Sequence, residues 1–213
     1  MYKMSEYNAI AKQTDSLKRG LKKALPGIDP GMLISYEDHL VSPEYIELFG
    51  GKKVRIGLEP ARSVFPSVSM YKGDVVLYLP VLPKHGDITK GMKNLKNYIM
   101  GTVSDSGYHG VYLHELTHIY DLLKGGKLDE EDRDDADLCD YIKNPYEHKA
   151  ITYELLYEMD ELGIDKDIGY DEFLFEFMID MPNFSVYGDR VMEFSYCKDD
   201  KFLPGLHKLF KES

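Results

Sequence analysis

The chain predicts an α+β fold, with a small, mostly antiparallel N-terminal sheet accompanied by helices and then a mainly helical C-terminal part. Three observations carry this. Apolar residues alternate at Val54, Ile56 and Leu58, at Val68 and Met70, and at Val75, Leu77 and Leu79, the period-two pattern of half-buried strands, all within the first ninety residues. From Asp87 onward the apolar positions fall at helical spacing instead. The 213 residues are 43% hydrophobic and 30% charged, which suits one sizeable domain, read as a strand-rich lobe over 1–105 and a helical lobe over 106–213.

Tyr7, Ile10, Thr14, Leu17 and Leu21 share one face, predicting an amphipathic helix over 5–24 that Pro26 and Gly27 stop. Two roles are open to it: packing against the domain, or shielding a cleft as a pro-segment would. Residues 32–36 read as a short strand. Ser42 and Pro43 read as the start of a short helix ending at Gly50 and Gly51, with proline at the first helical position. Lys72, Gly73 and Asp74 form a hairpin turn between two strands, and Pro80 and Pro83 end the second. Asp87 caps a helix over 87–100, and 102–107 is a polar loop. A helix over 108–124 is closed by Gly125 and Gly126. The acidic run 129–135 lacks the ligand order and central glycine of a calcium loop, so it reads as a solvated loop. Asn144 and Pro145 open a helix over 144–162, and 171–180 and 202–211 are two more.

Bulk properties narrow the function classes. A net charge of −11 argues against a general phosphate-backbone binder, so no nucleic-acid partner is expected. No apolar run approaches the ~20 residues that span a bilayer, and the first residues lack a basic segment followed by an apolar one. The two cysteines, Cys139 and Cys197, make no disulfide framework. A cytoplasmic protein without a membrane partner is the expectation; the oligomeric state is not legible.

The stretch His114-Glu115-Leu116-Thr117-His118 is an H-E-x-x-H pentad. Residues four apart on a helix lie one turn apart on one face, so both imidazoles can converge on one metal ion. Glu115 then projects toward the open side of that metal, where a water binds, and serves as its base. The flanks Val111, Tyr112, Leu113, Ile119 and Tyr120 are uncharged, which makes the helix largely buried. The competing interpretation is two core histidines hydrogen-bonded to neighbours.

A catalytic zinc takes three protein ligands and keeps one position open. The compact pattern with a third histidine fails, because Asp121 and Lys124 stand where its glycine and last histidine belong. Both cysteines come after the pentad, which excludes a ligand cysteine ahead of it. Glu147, 29 residues after His118 in the first turn of a new helix, supplies the third ligand, and Ala150 and Ile151 on its face permit close helix approach. Asn144 and Glu147 also spell a capping box, in which Glu147 folds back to the Asn144 N–H. His148 and Glu154 are the alternative ligands, Glu154 lying on the Glu147 face two turns on.

These residues resemble the zincin metallopeptidases, specifically the gluzincin branch, on the pentad and on Glu147 with the small Ala150 three positions on. Within that group the chain is similar to small single-domain metallopeptidases of bacteria and their phages, in which a segment like His114 to Asp121 precedes a Pro-x-Glu helix like that at Pro145 to Glu147. The resemblance covers about residues 111–154. It implies a zincin-like fold, His114, His118 and Glu147 as Zn2+ ligands, Glu115 as general base, and a peptide or protein substrate. The chain departs from the pattern at Ile151, where the thermolysin-type sequence has an aspartate that orients a ligand histidine; Asp121, one turn beyond His118, can take that role, or can be solvated at the surface or make a contact within its own helix. Tyr170, Tyr187, Tyr196, His148 and His207 are eligible to stabilise the transition state, and the strand at 75–79 is a candidate edge for an extended peptide. Two other functions remain open: a zinc hydrolase of a non-peptide amide, and a non-enzymatic protein that retains the metal site.

Overall fold

The computed structural model describes residues 2–29, 34–36, 39–60, 66–81, 109–126, 144–179 and 202–213. The expected helix over 87–100, the loop at 102–107, the acidic run at 129–135, both cysteines, Tyr187 and Tyr196 lie outside them.

The N-terminal helical segment is two helices, α1 (Met4–Ala11) and α2 (Thr14–Ala24). The Thr14 hydroxyl donates to the Ala11 carbonyl at 2.8 Å, an i−3 bond that competes with the helical ladder and marks the break. Gln13, at the joint, accepts from the Phe49 N–H at 2.9 Å and so ties the break to a β-turn. The expected apolar face is buried across both helices, at Tyr7, Ile10, Thr14, Leu17 and Leu21. Helix α2 gives way to a 3-10 turn at Leu25–Gly27, where Pro26 sits.

Among the described residues, five strands form one sheet: β1 (Ile34–Tyr36), β2 (His39–Leu48), β3 (Lys52–Pro60), β4 (Ser67–Tyr71) and β5 (Asp74–Val81), in the order β1-β2-β3-β5-β4. Three pairings are antiparallel and β3–β5 is parallel, so the sheet is mixed and mostly antiparallel, as expected. The helix expected from Ser42 is instead part of β2. Ser42 does make the bond of a helix cap, its Oγ accepting from the Glu44 N–H at 3.1 Å. The pairing with β3 shifts register between Val41 and Tyr45, which keeps Pro43 out of the ladder, where its missing N–H costs nothing. Beyond it Ile46 and Leu48 turn inward and Glu47 outward, and the period-two pattern wins.

The β4–β5 hairpin turns through Lys72 (φ 48°) and Gly73 (φ 87°), both left-handed as a two-residue hairpin requires. Strand β5 lies between β3 and β4, so the outer strand on this side of the described sheet is β4, not the 75–79 segment. Gly57 pairs with Tyr78 across the parallel step, and a Cβ there would run into the Tyr78 ring.

One sheet face packs Ile46, Leu48, Val54, Ile56, Leu58, Val75, Leu77 and Leu79 against helices in a single apolar cluster that runs from Tyr7 to Phe210. On the other, Val41, Tyr71, Val76 and Tyr78 form a smaller one. Helix α3 (His109–Leu123) touches β4 and β5 and packs along α4 (Pro145–Leu162), while α5 (Tyr170–Ile179) and α6 (Phe202–Glu212) complete the helical part. This is the α+β architecture the sequence predicts. Among the described residues no helix is long and apolar enough to cross a membrane.

Candidate metal centre

Two helix ends fix the site. Helix α3 closes with Gly125 at φ 84°, the Gly125 N–H on Leu122 O (3.0 Å) and the Gly126 N–H on Asp121 O (2.9 Å), a Schellman motif only glycine fits easily. Helix α4 opens with Asn144, whose Oδ1 accepts from the Tyr146 N–H at 3.0 Å, and with Pro145 in the first turn. Ala150 is fully buried, and a Cβ on Gly110 of α3 would collide with Glu158 of α4. Small residues thus let the two helices approach closely, which brings Glu147 to the pentad.

Three ligand atoms converge. His114 Nε2 lies 3.1 Å from His118 Nε2 and 3.2 Å from Glu147 Oε2, and His118 Nε2 lies 3.4 Å from that same oxygen. The three residues are buried and form a group that could hold a metal ion. Ligands about 2.0–2.1 Å from a shared ion at tetrahedral angles stand roughly 3.3–3.4 Å apart. The observed edges therefore match three corners of a tetrahedron. Two imidazole nitrogens and a carboxylate oxygen this close need a shared cation or proton to reconcile their lone pairs. The donor set fits a divalent metal.

The neighbours complete the arrangement. Glu115 is buried at 6% exposure, and its charge acts on His114. Glu154, 1% exposed, places Oε2 2.9 Å from His114 Nδ1. Burial alone would push the His114 imidazolium down, but hydrogen bonds to Glu147 and Glu154, with the charges of Glu154 and Glu115, outweigh it and raise its pKa to about 9. Burial would likewise push the Glu147 carboxyl up, yet hydrogen bonds from His114 and His118 and their charges hold it far below the usual carboxylate range. Without metal, His114 is thus an imidazolium donating to a carboxylate from each nitrogen.

The fold sorts the remaining candidate residues by their partners. Asn144 caps the helix through the Tyr146 N–H, one position short of the capping-box partner, and Glu147 directs Oε2 to the histidines. His148 is not in the cluster: its Nδ1 meets the Tyr2 hydroxyl at 2.6 Å and its ring packs edge-on against Phe202. Glu154 meets the outer nitrogen of His114 and not the metal-facing one. Asp121 takes none of the three roles open to it: Oδ1 is held by Lys149 Nζ of α4 at 2.6 Å, and Lys149 also reaches Glu6 at 2.9 Å. Among the eligible transition-state groups, His207 Nε2 donates to the Ile168 carbonyl (3.2 Å), and Tyr170 packs on Phe173 and His207. The seven-residue step from Glu147 to Glu154, two helical turns on one face, was legible in the sequence and made Glu154 an alternative ligand; its contact with the outer nitrogen of His114 was not.

The N-terminal segment is packed along α4. Tyr2 meets His148, the Tyr153 hydroxyl donates to Lys3 O at 3.2 Å, and the Tyr7 hydroxyl donates to Asp160 at 3.0 Å. Of the two roles open to it, packing against the domain is what the structure shows.

No protein-family model, curated protein or solved structure matches the chain, so the reading of the site rests on its own geometry.

Proposed function

We propose that this protein is a zinc-dependent metallopeptidase of the gluzincin type, hydrolysing peptide bonds with His114, His118 and Glu147 as metal ligands and Glu115 as general base. The carrying observation is the convergence of His114 Nε2, His118 Nε2 and Glu147 Oε2 within 3.1–3.4 Å, from two helices, beside a buried Glu115. A divalent metal bound there supplies Lewis acidity, polarising a carbonyl and acidifying water. His114, His118 and Glu147 would hold that charge. Glu115 accepts the proton of the attacking water on its carboxylate and returns it to the leaving amine. A purely structural site has no use for such a base, which favours hydrolysis over a vestigial metal site. Two imidazoles and one carboxylate also suit iron(II); the four-residue histidine spacing with an adjoining buried glutamate favours zinc. An extended peptide would pair with β4, the outer strand of the described sheet on the side that contacts α3.

The test is metal content by elemental mass spectrometry on the wild type and Glu147→Ala, alongside hydrolysis of casein and a small-amide panel. About one zinc per chain, lost in Glu147→Ala, together with peptide cleavage, is expected. Cleavage confined to small amides would replace peptide by amide substrates. No zinc after reconstitution would overturn the proposal.

A further inference from the structure

Glu154 is a buried carboxylate whose position is hard to account for by packing. It is 1% exposed, in the apolar interface between α3 and α4, among Ile151, Leu155 and Leu156 on its own helix. Oε2 faces His114 Nδ1 at 2.9 Å, while Oε1 has no hydrogen-bond partner among the described residues. A buried carboxyl group held by a single partner is an expensive way to fill a core, and an apolar side chain of similar size would serve stability better. What it does supply is direction. An acceptor on Nδ1 fixes the proton of a neutral imidazole there and leaves the lone pair on Nε2, the atom that faces His118 and Glu147.

The geometry points to Glu154 as the positioning residue of this metal centre: it holds His114 in the tautomer and ring orientation that ligation through Nε2 requires. The role presupposes the metal site proposed above. In the pattern that the sequence resembles, the residue with this role stands at the position of Ile151, and Asp121, to which the role was open, is held by Lys149 instead. One helix face, through Glu147 and Glu154, therefore carries both a ligand and the group that aims the opposing ligand.

The experiment compares wild type, Glu154→Gln and Glu154→Leu. Zinc affinity is measured by chelator competition, metal-free stability by urea unfolding, and the imidazole N–H protons of the zinc-loaded proteins by NMR. Glu154→Gln keeps a carbonyl acceptor for the Nδ1 proton, whereas Glu154→Leu keeps only bulk. Loss of a histidine's supporting partner weakens metal binding by about 10–100-fold. We expect that loss in Glu154→Leu, with metal-free stability equal to or above wild type, and affinity recovered by about tenfold in Glu154→Gln. The hydrogen-bonded Nδ1–H resonance of His114 should be present in wild type and Glu154→Gln and missing in Glu154→Leu. Zinc bound as tightly by Glu154→Leu as by wild type would overturn this inference alone. So would a metal-free Glu154→Leu or Glu154→Gln that is destabilised in parallel with its loss of affinity, since that is the mark of a structural residue. Failure of the wild type to bind zinc would overturn the metal proposal itself, and this role with it.

Discussion

Glu147 and Glu154 stand seven residues apart on α4 and meet opposite nitrogens of the His114 imidazole, Nε2 at 3.2 Å and Nδ1 at 2.9 Å. A helix advances about 10.5 Å over seven residues, enough to straddle an imidazole with a hydrogen bond at each side. The ring is thus clamped between two charges of one rigid element. Its freedom to rotate out of the site is removed by the same helix that supplies the carboxylate of the cluster.

Glu115→Gln should separate binding from chemistry. The amide is nearly isosteric but cannot take a proton, so metal content should stay near one ion per chain. Peptide hydrolysis should fall by about 10²–10⁴-fold in kcat, the usual contribution of a positioned base. Parallel elemental analysis and steady-state kinetics on one preparation check both halves. A variant that keeps full activity would remove Glu115 from the mechanism.

Metal uptake should compete with a proton. In the metal-free protein the His114 pKa is raised to about 9, and ligation needs that imidazole neutral. Apparent metal affinity should therefore rise by roughly tenfold per pH unit up to about pH 9 and then level, with a proton released on binding. The same shift stabilises the metal-free fold: the contribution is complete below the unfolded value near 6.5 and is lost as pH rises through about 9. Chelator titrations at pH 7, 8 and 9, with a pH-indicator dye to count protons, measure this. A flat profile would contradict it.

Alkaline pH should loosen the N-terminal helix. Tyr7 is buried, and burial first, then the charge and hydrogen bond of Asp160, raise its phenol well above the usual range. A raised folded value means that the contribution is complete below the unfolded pKa near 10 and is lost as pH climbs above it. Tyr7→Phe should flatten the decline in unfolding free energy above pH 10 relative to wild type. Urea melts from pH 8 to pH 11 compare the two.

Gly57→Ala should be costly although it adds one methyl group. Its Cβ would overlap the Tyr78 ring and crowd Val76, both buried in the parallel step of the sheet. Overpacking of this kind costs about 1–3 kcal/mol, or a fall in Tm of roughly 2–12 °C at this chain length. Gly73→Ala adds a Cβ into open space and loses only the ease of its left-handed φ, so a milder fall is expected there. Differential scanning calorimetry ranks the two.

Much of the site was legible because its information is local. The pentad fixes its own geometry through the four-residue step, and α3 and α4 announce their ends through Gly125, Gly126, Asn144 and Pro145. Glu147 was legible at one remove, since Ala150 on its face signalled close approach. Partners chosen across the fold were not. Nothing near Asp121 in sequence shows that Lys149 will take it, or that Glu154 will take His114. The helix expected at β2 fails for the same reason. Ser42, Pro43 and Glu44 carry a valid local signal and do form its hydrogen bond, but pairing with β3 holds Tyr45 to Leu48 extended. The parallel contact of β3 with β5 leaves no local trace either, because β4 lies between them in sequence and outside them in space.

The packing of the N-terminal helices on α4 has a consequence for how the chain is made. Lys3 and Tyr153 are 150 positions apart, yet they share a hydrogen bond at the rim of the helix that bears Glu147. A ribosome adding about 5–20 residues per second takes roughly 8–30 s to deliver the second after the first. Through that interval Tyr7, buried in the finished protein, has neither the Tyr153 ring nor the Asp160 carboxylate to rest on. Helix α2 can settle on β2 as soon as the sheet is made, whereas the Tyr7 face of α1 waits for a partner that lies some 150 residues later in the chain.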